Sequence, residues 1–201
     1  SLNPTVSLTS DDVIQLIKDR GDSIVGQSKS TINVSEIEKA LNSHADISNA
    51  EVYMSINGEM KVEVTQRKPV VRIMNLDGDS YYIDNEGTFM PLSDKYTAKV
   101  LIVNGMISEP YIKRYTYSIK DIGKDSLLNA TSMLDEVYVM ANYINTDKFW
   151  KDQIQQIYIN KDRDMEIVPM VGDQKIIFGD TTFMDEKFKK LLTFYQQGLN
   201  T

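Results

Sequence analysis

Apolar residues first recur at helical spacing. Val13, Ile14, Leu16 and Ile17 form one stripe over Thr9 to Arg20, with Thr9 or Ser10 as N-cap, Asp11 and Asp12 in the first turn and Gly21 beyond the end. A polar Gly/Ser/Lys loop follows, and Asn33 to Ser43 predicts a second helix. Ser35 and Glu38 there have capping-box spacing, and Ile37, Ala40 and Leu41 share a face. The period then falls to two. Val52, Met54 and Ile56 alternate with polar residues, Asn57-Gly58 supplies a tight turn, and Met60, Val62 and Val64 alternate back, which predicts a hairpin. Pro69 cannot donate to a ladder, so the hairpin stops there and a domain boundary falls between residues 69 and 70. The first unit, residues 1 to 69, is small for an independent core. Two helices on a three-stranded sheet would suit it, with a strand drawn from residues 2 to 8 through Thr5, Val6 and Leu8.

The second unit, residues 70 to 201, begins as short strands separated by turn residues: Val70 to Leu76, the Asp77-Gly78 turn, Ser80 to Asp84, the Asn85-Glu86-Gly87 turn and Thr97 to Val103. Leu127, Leu128, Leu134, Val137, Ala141 and Ile144 keep helical spacing, which predicts one long helix over Ser126 to Ile144, ahead of Phe149 and Trp150. Strands resume over Ile154 to Ile159, Met165 to Val171 and Lys175 to Phe178, a meander turning at Lys161 to Arg163 and at Gly172-Asp173. A last helix runs from Asp185 to Gln197, with Phe188, Leu191, Leu192 and Tyr195 inward and Gly198 as its stop. The fold class is α+β in two parts: a small helix-and-hairpin unit, then a mixed β unit with a long inserted helix and a final helix.

Composition narrows the chemistry more than the fold. Hydrophobic residues make up 41% and charged residues 25% of the 201, ordinary globular usage, so wholesale disorder is excluded. With 29 acidic against 22 basic side chains the net charge is -7, which argues against a grip on nucleic acid or anionic lipid. The chain has no Cys, so disulfides, thiol catalysis and Cys-ligated zinc are out. Apolar runs such as Val100 to Val103 fall far short of the roughly 20 residues a membrane span needs.

Candidate chemistry is sparse. His44 is the only histidine, placed where an imidazole would sit beside the exposed carbonyls of the second helix. Asn160, Asp162 and Asp164 copy the first ligand spacing of a calcium loop, but Met165 stands where Gly is required and Val171 where Glu is required. A hairpin turn explains them better. Asp77, Asp79 and Asp84 could be imagined as a carboxylate cluster, yet strand geometry separates them and Asp77 has a turn role beside Gly78. Asn129-Ala130-Thr131 reads as chance within a helix, and there is no phosphate-cradling glycine loop or nucleophile elbow. Gln66-Arg67-Lys68 is a small basic patch. It either contacts a partner or is a solvated strand end with Pro69 as terminator. From residues alone, no cofactor, metal or catalytic set is indicated, and binding is favoured over catalysis.

Thr9-Ser10-Asp11-Asp12-Val13, Ile32-Asn33-Val34 with Ile37 and Leu41, Ala50-Glu51-Val52-Tyr53 and Val62-Glu63-Val64-Thr65-Gln66-Arg67-Lys68-Pro69-Val70 resemble, in order and spacing, the POTRA region of the bacterial cell-division family FtsQ/DivIB. Tyr82-Ile83-Asp84-Asn85-Glu86-Gly87-Thr88-Phe89 resembles the recurring Asp-x-x-Gly-x-x segment of that family, followed by Pro91-Leu92 and a strand ending at Asn104-Gly105. Phe188, Leu191, Leu192 and Tyr195 are similar to the helix that precedes the family's last strand. Ala45-Asp46-Ile47 stands where many members have Pro-Trp-Val, and Tyr53, Gln66 and Trp150 give a Bacteroidetes-like flavour.

The resemblance implies a non-enzymatic periplasmic scaffold of the division septum. It would be anchored in the inner membrane by a single pass preceding this segment, with a terminal strand following Thr201. The implied partners are FtsB-like and FtsL-like coiled-coil membrane proteins, recruited by pairing at sheet edges. Lys187, Lys190 and Phe194 on the last helix and Gln66, Arg67 and Lys68 at the end of the hairpin are the candidate contacts. Two rival readings are a POTRA module of an outer-membrane assembly or secretion system, which calls for further POTRA repeats or a barrel, and an enzyme built on His44 or the Asp77, Asp79, Asp84 group.

Overall fold

A computed structural model describes residues 9–20, 33–93, 97–109, 118–124, 131–170 and 175–198; the strand expected over residues 2 to 8 and the turn at Gly172-Asp173 lie outside them. Helix α1 (Ser10–Arg20) starts where expected. The Thr9 hydroxyl accepts the Asp12 N–H at 3.2 Å while the Asp12 carboxylate accepts the Thr9 N–H at 3.0 Å, a reciprocal cap. Helix α2 (Val34–Asn42) is capped differently from expectation. Asn33 supplies the cap, accepting from the Glu36 N–H at 3.3 Å. Starting at Val34 puts Glu38 beyond the reach of a capping box, and its carboxylate instead accepts the Val52 N–H at 3.1 Å.

Strands β1 (Ile47–Met54) and β2 (Met60–Gln66) form the hairpin, antiparallel with Val52 opposite Val62. Gly58 sits in the turn at φ +89°, a conformation L side chains rarely adopt. Leu41, Ile47, Ala50 and Val52 are buried under α1 and α2, with Val13, Leu16, Ile17 and Ile37 packed around them. Among the described residues this sheet has two strands.

The second sheet has seven strands: β3 (Pro69–Met74), β4 (Ser80–Asp84), β5 (Phe89–Met90), β6 (Leu101–Gly105), β7 (Ile154–Ile159), β8 (Met165–Pro169) and β9 (Ile176–Gly179). Their spatial order is β5-β4-β3-β6-β7-β8-β9. The three central strands β3, β6 and β7 run parallel and the outer pairs antiparallel. A parallel neighbour needs a crossover, and between β6 and β7 the chain carries α3 (Ile119–Ile122), α4 (Leu134–Thr146) and α5 (Lys148–Gln153). The register of β6 admits no side chain at its end. A Cβ on Gly105, at φ +108°, would lie 2.2 Å from the Ile159 carbonyl oxygen.

Three sequence expectations shift here. The strand expected from Thr97 begins only at Leu101, where pairing with Val71 of β3 becomes available. The long helix expected from Ser126 is broken at Ser132–Met133, which are not helical, and α4 starts at Leu134. Groups distant in sequence hold that break open. Glu109 accepts the Met133 N–H at 3.1 Å and Arg163 donates to the Ser132 carbonyl at 3.1 Å, so tertiary bonds replace helical ones. Phe149 and Trp150, expected to follow the long helix, lie inside α5, whose cap Asp147 accepts both of their N–H groups at 2.9 and 3.1 Å.

The core lies between one face of this sheet and helices α4 and α6 (Met184–Gly198). Leu134, Val137, Met140, Ala141 and Ile144 of α4 cover Val71, Ile73, Val103, Ile157 and Ile167. Phe188 of α6 is the aromatic hub. Its ring stacks on Tyr143 at 4.4 Å and meets Phe178 at 4.9 Å and Trp150 at 5.0 Å, tying α6 to β9, α4 and α5 at once.

The link between the two sheets is fastened rather than loose. Arg67 was expected at a solvated strand end or on a partner-contacting patch; its side chain is instead only 9% exposed and donates to Asp84 at 2.8 Å, with Asp84 fully buried. The other Asp84 oxygen accepts the Glu86 and Thr88 N–H groups at 2.9 and 2.7 Å, so one carboxylate serves both the turn and the ion pair. Backbone bonds flank it: Arg67 N–H to the Asp46 carbonyl and Asn85 N–H to the Lys68 carbonyl, each 2.9 Å. Desolvating two charges gives little net stability, but removing one strands the other. Arg67→Met is therefore expected to destabilise the chain by about 3–5 kcal/mol in urea unfolding. Adding Asp84→Asn, which keeps an oxygen for the two turn amides, should recover most of that loss; a double variant as unstable as the sum of the singles would contradict a coupled pair.

Candidate functional site

The two margins of the large sheet are unlike. At one, β5 is two residues long, Phe89 and Met90 are both buried, Thr88 bridges to Ser118, and the Gly87 carbonyl accepts the Ile119 N–H at 2.8 Å. That margin is covered. At the other, β9 pairs with β8 alone among the described residues. Its side chains alternate: Phe178 turns into the core, while Ile177 is 70% exposed on the opposite face. A strand with one edge unpaired and an exposed branched residue is a template for another chain.

The turn after β9 shapes the neighbourhood of that edge. Gly179 has φ +79° and Phe183 has φ +51°, and Phe183 is 75% exposed. Asp180 organises the turn, accepting the Thr182 hydroxyl and, at 3.0 Å, the Thr182 N–H. Lys187, one turn into α6, reaches back to the Asp180 carboxylate and carbonyl, both at 2.9 Å, and lies 5.2 Å from the centre of the Phe178 ring. Glu136 of α4 accepts the Thr181 N–H at 3.2 Å, which pins the turn to the core. Within α6, Lys187, Lys190 and Phe194 follow one another by three and four residues, so they share one flank of the helix, with Phe183 just before its start. Lys190 is exposed and Phe194 is 55% exposed, whereas Phe188 and Leu191 are buried and Leu192 and Tyr195 pack against the core, as expected.

The six candidate contacts therefore do not form one surface. Lys187, Lys190 and Phe194 lie on one flank of α6, of which Lys187 meets the Phe178 ring of β9 and the Asp180 turn. Gln66 and Lys68 lie at the β2–β3 link, and Arg67 is withdrawn into its buried pair. From β3 to β9 there are four strand intervals, about 19 Å at the usual spacing. Asp180, Ile177 and Phe183 escaped the sequence reading. The Asp-Thr-Thr run ahead of a helix was the available signal, since such residues turn the chain back on itself.

The catalytic alternatives find no assembled set. Asp77 and Asp79 are exposed in the β3–β4 turn, while Asp84 is locked to Arg67. His44 Nδ1 accepts the Asp46 N–H at 3.3 Å, a local structural bond at the end of α2. Asn160 organises the β7–β8 turn, its side-chain oxygen accepting from Asp162 and Asp164 at 2.9 and 3.0 Å, with Arg163 at φ +69°. No group of three metal-ligating side chains occurs among the described residues.

Comparison with family models matches residues 68–201 to the FtsQ/DivIB, C-terminal related family, and residues 6–65 to the POTRA-like domain. The chain belongs to the FtsQ/DivIB-type family. Among curated proteins, none matches it. POTRA-like and FtsQ/DivIB-type domains are non-enzymatic scaffold modules, so the chain is, in that general sense, a cell-division scaffold. The match over 68–201 falls where the outer-membrane alternative calls for more POTRA repeats or a barrel. No described helix of this FtsQ/DivIB-type chain is long and apolar enough to cross a membrane.

The Asp180 turn carries a pH signature. The Thr182 hydroxyl, then Lys187 and the Thr182 N–H, hold the Asp180 carboxyl down at about 2. An unfolded Asp titrates near 3.9, so the contribution of the turn is fully present above that value and is lost as pH falls from about 4 through about 2. Carbon-13 titration of the side-chain carboxyl is expected to show a midpoint near 2; a midpoint near 4 would mean that the turn does not hold this carboxylate.

Proposed function

We propose that this protein is a periplasmic scaffold of the division septum. It is tethered to the inner membrane by a segment outside the chain described, and it captures an extended stretch of a coiled-coil membrane partner of the FtsB-like or FtsL-like kind. The observation that carries the reading is the margin of the large sheet. The edge of β9 is unpaired among the described residues, Ile177 is exposed on it, and Lys187, on the same α6 flank as Lys190 and Phe194, meets the Phe178 ring of that strand. In strand addition, main-chain bonds supply affinity and the flanking side chains supply selectivity. The family membership supports the division role.

On this reading Lys190 and Phe194 contact the partner directly, while Lys187 acts through the turn by holding Asp180. Gln66 and Lys68 belong to a second, separate surface near the link. The test is capture of the purified extracytoplasmic segments of the FtsB-like and FtsL-like partners by the chain with its native C-terminal sequence. Ile177→Lys with Phe194→Ala should weaken capture by tenfold or more, about 1.4 kcal/mol, with the urea midpoint unchanged because both side chains are exposed. Undiminished capture by a stably folded variant would remove this edge from the account.

A further inference from the structure

The small sheet also has a margin, and it is treated in the opposite way. In β1 the backbone groups of Ala50 point away from β2 and are both taken by one side chain. The Ala50 N–H donates to Asn42 Oδ1 at 2.8 Å, and Asn42 Nδ2 donates to the Ala50 carbonyl at 2.9 Å. A side-chain amide has the donor and acceptor of a peptide group, so Asn42 gives Ala50 the pair of bonds that a residue of a neighbouring antiparallel strand would give. Two positions along, the next outward N–H, that of Val52, is taken by Glu38 at 3.1 Å.

The spacing explains why a helix can do this. Glu38 and Asn42 are four residues apart on α2, a rise of about 6 Å. Ala50 and Val52 are two residues apart on β1, about 6.7 Å. The two repeats nearly coincide, and pairing Glu38 with Val52 and Asn42 with Ala50 sets helix and strand antiparallel. Asn42 is steadied by a further bond from Nδ2 to the Glu38 carbonyl at 3.0 Å, so both amide hydrogens and the oxygen are engaged.

We propose that α2 is an internal substitute for a neighbouring strand, and that Asn42 and Glu38 close the outer edge of β1 to strand addition. Docking is thereby directed away from the β1 edge of the small sheet. The plug lies at the surface, since Asn42 is exposed although its amide is bonded, so removing it uncovers backbone rather than core. Neither the division role nor any partner enters this inference; it stands on four hydrogen bonds within the chain.

The test uses the Glu38→Ala, Asn42→Ala double variant of the full chain. Amide hydrogen exchange at Ala50 and Val52 should accelerate by about tenfold or more relative to the parent, the equivalent of losing one to two net hydrogen bonds. Sedimentation should show concentration-dependent association stronger than the parent's, measured at high ionic strength where Glu51 and Glu63 repel little between copies. Faster exchange without stronger association would show that these side chains only anchor α2, and unchanged exchange would show that they do not protect the edge. Either result overturns the proposal. If the double variant does not unfold cooperatively, Asn42→Asp takes its place. It keeps an acceptor for the Ala50 N–H but sets a carboxylate oxygen against the Ala50 carbonyl, and association no greater than the parent's again overturns the proposal.

Discussion

The ion pair of Arg67 with Asp84 is the constraint on which the arrangement of the chain depends. A carboxylate with no solvent exposure must be compensated on every side, and Asp84 is: two turn amides on one oxygen, a guanidinium on the other. The guanidinium comes from the link that leaves the hairpin, while the carboxylate ends β4 in the large sheet. Neither charge can leave without stranding its partner, so the link has one conformation. The β2–β3 junction is thereby a fixed joint, with Asp46 and Asn85 bonded to the backbone on either side of the pair.

Given a fixed joint, the remaining question for a scaffold is which backbone is left to offer. Three of the four sheet edges among the described residues are treated in three different ways. The β5 margin is buried under the segment around Ser118. The β1 margin is occupied by the side chains of α2. The β9 margin is left open, beside a helix flank carrying cations and an aromatic ring. A fold with exposed strands must manage its edges or risk promiscuous pairing, and closing some while leaving others is a way to make pairing selective. The Phe188 hub matters here, because it ties α6 to β9 and to α5, and so keeps the flank at a set distance from the edge it borders.

Legibility in the sequence follows how local each cause is. The hairpin around Gly58 was readable because alternation and an Asn-Gly turn lie within fifteen residues. β4, β7, α6 and the four inward residues of α6 were readable for the same reason. The resemblance to a division family rested on runs of that kind and holds. What escaped was non-local. Arg67 looked like a surface cation because its acid lies 17 residues on, and a charge is buried only if the fold supplies its complement. The break at Ser132–Met133 is enforced by Glu109 and Arg163, which no helical periodicity reports. Asn42 carried no local signal, since its role is defined by a strand eight residues later. Ser35 lost the cap to Asn33, both being good caps, and Glu38, the other half of the expected capping box, accepts from the Val52 amide 14 residues on.

The most direct measurement of the fixed joint is alignment. Residual dipolar couplings collected from backbone amides of both sheets in one weakly aligning medium report whether the two units orient together. The account predicts that a single alignment tensor fits β1 and β2 together with β3 to β9. Two tensors of different magnitude or axis would mean that the units move independently, and that the buried pair does not hold the joint.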